Sequence, residues 1–233
     1  MGEDRSVERT LKLSPSILTA DFGRLADEVA TVAPYVDWFH LDVMDGHYVP
    51  NITFGASTVA AVRAACDLPL HVHLMISEPQ RYIESFAEAG ATRISFHPET
   101  VEDATAVIEQ IAALGLGPGI AVHPDVGLEV LEGHLGRLEV VLMMTVRPGF
   151  GGQSFLPEVV PKIASATATV QAAGSRADIE VDGGVNLATI DEAVKAGGQI
   201  LVAGSAIFDG VDAAAAARRL RERVDALASG VPA

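Results

Sequence analysis

Short apolar runs alternate with longer amphipathic or Ala-rich stretches from one end of this chain to the other. The strand-like runs fall at 11–18, 38–42, 70–75, 93–97, 119–122, 140–145, 178–182 and 200–203. Helix-like stretches fall at 23–33, 79–89, 102–114, 158–173 and 213–228. Glycines follow several of these and a further helical segment at Gly90, Gly115, Gly174 and Gly197, glycine being the residue best suited to a left-handed C-terminal turn. The last carries Arg218, Arg219, Arg221 and Arg223, expected on its solvated side. Eight strand–helix units in 233 residues specify an α/β fold, a single (β/α)8 TIM barrel. A doubly wound open sheet is the alternative, weakened because no GxGxxG follows the first strand. The expected organisation is a frayed arm over residues 1–10, a barrel over 11–228 and a frayed tail over 229–233.

Charge and cysteine content narrow the function. A net charge of −15 opposes nonspecific nucleic-acid binding, and it also repels anions at long range. A phosphate must therefore be held by local donors. Cys66 is the single cysteine, so no intrachain disulfide forms. The N-terminus lacks an apolar signal core, and no apolar run reaches membrane-spanning length. A cytoplasmic protein is expected.

The chemistry is concentrated at strand ends. Side chains two apart on a strand share a face, so His40, Asp42 and Met44 point one way, as do His71, His73 and Met75. Asp182 ends the seventh run, just before Gly183 and Gly184. A lone strand-end histidine is usually a satisfied polar residue, and a lone Asp before Gly-Gly is more often a turn residue. Together, these costly polar groups share one face of apolar strands, and a divalent cation would offset their burial. Two aspartates beside one cation suit proton transfer next to a carbonyl, with one acid on each face of the carbon. Met44, Met75 and Met144 lie near the same ends, as core filler or as a water-poor wall.

Three glycine-rich loops follow consecutive strands: Gly149-Phe150-Gly151-Gly152, Gly183-Gly184 and Gly204-Ser205. Small residues let backbone N–H groups approach an oxyanion, and barrels often bind phosphate after strands seven and eight. Metal on one side and phosphate on the other describe a small phosphorylated sugar across the barrel mouth.

These residues carry a family likeness. The chain resembles ribulose-phosphate 3-epimerases over about 13–228, through Ser14-Pro15-Ser16-Ile17-Leu18, the stretch 40–51 beginning His40-Leu41-Asp42-Val43-Met44-Asp45-Gly46, His73-Leu74-Met75, Pro148-Gly149-Phe150-Gly151-Gly152-Gln153, Val181-Asp182-Gly183-Gly184 and Gly204-Ser205-Ala206. The resemblance implies a (β/α)8 barrel interconverting D-ribulose 5-phosphate and D-xylulose 5-phosphate with one divalent metal. It implies that His40, Asp42, His73 and Asp182 hold the metal, and that Asp42 and Asp182 are the acid–base pair. It places Ser16 and His73 near the substrate and packs Met44, Met75 and Met144 against the enediolate. Gly149, Phe150, Gly151, Gly152, Gly183, Gly184, Gly204 and Ser205 would line the sugar and phosphate region. Zinc is the first expectation for the metal, with manganese, iron or cobalt also suited to two imidazoles and two carboxylates. A homo-oligomer is expected from the family.

Two positions depart from the family's pattern. His71 stands where Asp is usual, and its side chain should point into the barrel beside or beneath His73, altering a ligand's support or merely repacking an inner layer. Arg147 stands where Asn or Glu is usual, either as a surface residue or as a contact for a larger phosphorylated substrate. His123 could affect the sugar tail, whereas His47 and His97 are read as loop and structural histidines. The rivals are an epimerase of a ketohexose phosphate such as D-allulose 6-phosphate, a barrel lyase or decarboxylase, and a non-catalytic sugar-phosphate sensor. No Asp-x-Lys-x-x-Asp strand motif supports the decarboxylase.

Overall fold

A computed structural model describes residues 11–230; the expected arm over 1–10 and the tail residues 231–233 lie outside the described residues. Eight parallel strands form one sheet: β1 (Lys12–Pro15), β2 (Phe39–Met44), β3 (Leu70–Met75), β4 (Arg93–Phe96), β5 (Gly117–Val122), β6 (Val140–Met144), β7 (Asp178–Asp182) and β8 (Ile200–Ala203). Their order, β1-β8-β7-β6-β5-β4-β3-β2, brings β1 back beside β2. The Ser16 to His40 bridge, with Asp37 and Trp38 N–H donating to Leu13 O, joins that last seam and makes the sheet a nearly closed barrel.

Seven α-helices cover the outside: α1 (Leu25–Val32), α2 (Ala56–Ala65), α3 (Ile83–Glu88), α4 (Ala104–Ala113), α5 (Val160–Ala172), α6 (Ile190–Lys195) and α7 (Ala213–Ala228). In α4, Val107, Ile108 and Ile111 recur at helical spacing and are buried, while Asp103 caps the first turn by accepting from Ala106 N. The fifth connection differs from the expected strand–helix repeat. It consists of 3-10 turns at Leu128–Leu131 and Leu135–Arg137, in a stretch broken by Gly127, Gly133 and Gly136. The first strand also stops sooner than expected. After Pro15 the Ser16 hydroxyl accepts from Leu18 N and turns residues 17–19 into a 3-10 helix.

Leu13, Phe39, Leu41, Ile94, Ile179 and their neighbours form the core between sheet and helices. Trp38, Ala121, Val140, Leu142, Met144 and Ile200 form a separate cluster. Near its Trp38 end, the indole lies between Lys12 and Arg93, 4.8 and 4.0 Å from their cationic atoms, and Lys12 pairs with Asp178 at 2.7 Å. Two arginines of α7 are not on the solvated side. Arg221 is part-buried against Asp37 at 2.6 Å, and Arg223 is part-buried against Asp191, so α7 is tied to the start of β2 and to α6. Ser229 and Gly230 extend the end of α7 through bonds to Asp225 O and Leu227 O. Among the described residues no helix is long and apolar enough to cross a membrane.

Candidate active site

Strand register assembles the site. β2 and β3 pair so that Phe39 faces Leu70, His40 faces His71, Asp42 faces His73 and Met44 faces Met75. Every second residue of each strand points inward, so two neighbouring strands deliver His40, Asp42 and His73 to one end of the barrel. Asp182 ends β7 opposite Met144 of β6. On the circuit of the barrel, β1 and β8 separate β2 from β7. The two aspartates thus reach the cluster from different sectors of the wall.

The four predicted ligands meet. His40 Nε2 lies 3.2 Å from Asp42 Oδ1 and 3.7 Å from Asp182 Oδ2. His73 Nδ1 lies 3.1 Å from Asp42 Oδ1 and 3.8 Å from Asp182 Oδ2. One donor atom from each residue fits within a 4.8 Å group, and all four residues are buried. Two imidazole nitrogens and two carboxylate oxygens at that spacing fit a divalent cation such as zinc. Ser16 closes the set by donating to Asp42 Oδ2 at 2.5 Å.

A deeper layer orients His40. Glu180 precedes Asp182 by two residues on β7 and shares its inward face, so strand alternation alone could have found it. Its Oε1 accepts from His40 Nδ1 at 2.8 Å, which turns His40 Nε2 toward the cluster. Its Oε2 lies 2.6 Å from His71 Nδ1, and His71 Nε2 lies 2.7 Å from Ser95 Oγ. His71 is therefore fully buried within the barrel as expected, but it reaches His40 through Glu180 rather than supporting His73. His73 instead meets His97, Nε2 to Nε2 at 3.0 Å. His97 was expected to be structural; it is fully buried against a site residue. His47 is the exposed loop histidine expected, bonded to Asp45 O through Nδ1 at 2.9 Å.

Electrostatics separate the two aspartates. Burial opposes ionisation of Asp42, but the His40 and His73 imidazoles outweigh it and hold its carboxyl far below the usual range. Burial and the neighbouring Asp42 charge push Asp182 up to about 8. Burial also resists charging of His40, yet Asp42, Glu180 and Asp182 raise it well above an ordinary imidazole. Burial, with His97 and His40 nearby, lowers His73 to about 3. Without a cation, the balance is one ionised and one protonated carboxyl, the split that acid–base pairs use.

Above the cluster lies a cavity of about 310 Å³. Ser16, Asp42, Asp182 and the thioether side chains Met44, Met75 and Met144 line its floor and walls. Gly149, Phe150, Gly151, Gly152, Gly183, Gly184, Gly204 and Ser205 also line it. Gly184 has φ +66°, and a Cβ there would run into the Phe155 backbone, so the close packing of that loop needs glycine. His40 and His73 sit beneath the lining with no exposed surface. Gln153, Asn186 and Thr19 also reach the cavity, and the sequence reading assigns none of them a role there. Arg147 is 62% exposed and held on the rim by Asp125, with Nη2 3.1 Å from Oδ1. His123 is half-buried, and its carbonyl accepts from Lys162 at 2.8 Å.

Known proteins resemble this chain in sequence and in fold. A sequence model described as the ribulose-phosphate 3 epimerase family matches residues 12–208. Ribulose-phosphate 3-epimerase of Mycobacterium leprae is 44% identical over 215 residues, 92% of this chain and 96% of its own. That of Bacillus subtilis is 45% identical over 213 residues, 91% of this chain and 98% of its own. The crystal structure of a 3-hexulose-6-phosphate synthase superposes with a TM-score of 0.68 at 24% identity, covering 91% of this chain and 99% of that one, a likeness of fold alone. With the family match spanning most of the barrel and such relatives along nearly its full length, the chain belongs to the ribulose-phosphate 3-epimerase family of enzymes.

Proposed function

We propose that this enzyme interconverts D-ribulose 5-phosphate and D-xylulose 5-phosphate with His40, Asp42, His73 and Asp182 holding one divalent cation and Asp42 and Asp182 moving the proton. The observation that carries this reading is the unequal carboxyl pair inside one buried His/Asp cluster on the floor of the cavity. A cation bound there, zinc or alternatively manganese, iron or cobalt, supplies Lewis-acid polarisation of the substrate carbonyl.

The chain's own groups supply the rest. The ionised aspartate takes the proton from C3 on one face, giving the enediolate. The protonated aspartate returns a proton to the other face, which inverts the centre. The return reaction exchanges their roles. Ser16 holds the Asp42 carboxylate by its 2.5 Å hydrogen bond. Met44, Met75 and Met144 keep water from the planar carbon. The glycine-rich loops offer backbone N–H groups to the phosphate.

Arg147 is turned to Asp125 and gives no support to a longer substrate. The test is turnover of ribulose 5-phosphate beside allulose 6-phosphate, with C3 labelling in deuterated water. Deuterium at C3 and preference for the pentulose are expected. Preference for the hexulose rejects the substrate assignment. Absence of label under single-turnover conditions rejects exchange with a solvent-equilibrated acid.

A further inference from the structure

The loop after β2 and the loop after β6 spring from opposite sides of the barrel, since the two strands lie half a circuit apart in the sheet order. They nevertheless meet at the mouth. Asn51 Nδ2 donates to Gly149 O at 2.9 Å. The backbones also pack closely there, since a Cβ on Gly149 would lie 3.7 Å from both Pro50 and Val49. The Asn51 end of this bridge is firmly built. Asn51 O accepts from Gly46 N at 2.8 Å, and Asp45 Oδ1 accepts from His47 N and Tyr48 N. Two residues on, Thr53 Oγ1 donates to Asp42 O at 2.7 Å, and Thr53 N donates to Met44 O.

The bridge fixes one peptide plane. In a trans peptide the C=O and the following N–H point opposite ways, and no peptide among the described residues is cis. Asn51 lies outside the cavity lining, whereas Gly149 and Phe150 belong to it. With the Gly149 carbonyl drawn to Asn51, the same peptide turns the Phe150 N–H away from Asn51 and toward the cavity. Among the described residues that N–H has no hydrogen-bond partner. Gln153 Nε2 steadies the turn by donating to the next carbonyl, Phe150 O, at 2.8 Å.

We propose that Asn51 is a positioning residue that aims the Phe150 N–H at the substrate phosphate and, through Thr53, holds that donor in register with Asp42. It acts from the strand that carries one proposed acid–base group on a loop from the far side of the barrel. The inference rests on the reading of the glycine-rich loops as the phosphate grip. Its consequence is that a side chain outside the cavity lining governs the hold on the phosphate without governing the chemistry at C3.

The test compares wild type with Asn51→Leu and with Asn51→Ser, which is too short to reach Gly149 and adds no apolar bulk. Three readouts are taken: turnover of ribulose 5-phosphate, inhibition by glycerol 3-phosphate, and C3 exchange of unphosphorylated D-ribulose in deuterated water. Both variants should lose about 5–10-fold in kcat/KM for ribulose 5-phosphate and bind glycerol 3-phosphate more weakly by a similar factor, the worth of one hydrogen bond. Exchange of D-ribulose, which has no phosphate to hold, should be unchanged. Equal losses on both sugars overturn the proposal, because a merely structural role moves both. An unchanged inhibition constant for glycerol 3-phosphate overturns it as well. If wild type binds glycerol 3-phosphate no better than glycerol, the phosphate reading itself fails and the inference falls with it.

Discussion

Ser16 Oγ donates to Asp42 Oδ2 at 2.5 Å across the seam where β1 and β2 share one backbone bridge. A residue that helps close the barrel thus also holds a proposed catalytic carboxylate. Ser16→Ala should leave the fold intact, because the Ser16 to His40 bridge is made by backbone. It should free the Asp42 carboxylate to rotate and lower kcat about 10-fold, in keeping with about 1.5 kcal/mol for a hydrogen bond to a charged group. Steady-state kinetics beside circular dichroism check this.

Asp42→Asn and Asp182→Asn should each lower kcat by about 10²–10⁴-fold, the usual contribution of a positioned acid or base. Substrate protection against thermal unfolding should persist, since the phosphate loops are untouched. Near-normal turnover in either purified variant would contradict the two-aspartate mechanism.

Asp182 should cost the metal-free protein stability as pH rises from about 4 toward 8, against an opposite trend from His73, whose lowered value adds stability as pH rises toward the ordinary imidazole range. Asp182 is pushed up to about 8 by burial and by Asp42, so the folded state keeps a proton that the unfolded chain releases near its ordinary carboxyl range. A raised folded-state value means stabilisation that is full below the unfolded value and fades through the folded one. His40, also raised, acts in the same direction. Asp42 acts oppositely, losing its stabilisation as pH falls below the ordinary carboxyl range. Thermal melts in chelator should therefore show Asp182→Asn gaining on wild type between pH 5 and 8, a window about 3 units wide. Adding zinc should raise the wild-type Tm in that window by mass action.

His71→Leu should be costly. It strips Glu180 of a neighbour 2.6 Å away and leaves a fully buried carboxylate with His40 alone. Removing one partner of a buried ionic contact costs about 3–5 kcal/mol. Urea denaturation measures it, and a cost within error of zero would show that His71 is a space-filler.

Much of this was legible in the residues. Alternation along 40–44 and 71–75 puts His40, Asp42 and His73 on one face without any structure, because a strand has a fixed period. The same rule reaches Glu180 from Asp182, yet a carboxylate inside an apolar run was passed over. His97 was harder to read. It lies just past β4, and its meaning comes from His73 and Tyr48, which are distant in sequence. The fifth connection departs from the strand–helix repeat for another reason. Leu128, Leu131 and Leu135 have near-helical spacing, but Gly133 between them and Gly127 and Gly136 on either side raise the cost of a helix. Arg221 and Arg223 fit a polar face in one dimension, while Asp37 and Asp191 draw them inward in three.

The pairing of Asp42 with His73 across β2 and β3 ties the cluster to the sheet's own hydrogen-bond ladder. Both side chains stand on strands rather than on loops, so neither can leave without unzipping two neighbouring staves. Ion release and loss of the whole tertiary structure should then coincide in one denaturation curve, and a dye that reports freed zinc would trace the same midpoint as the far-ultraviolet signal.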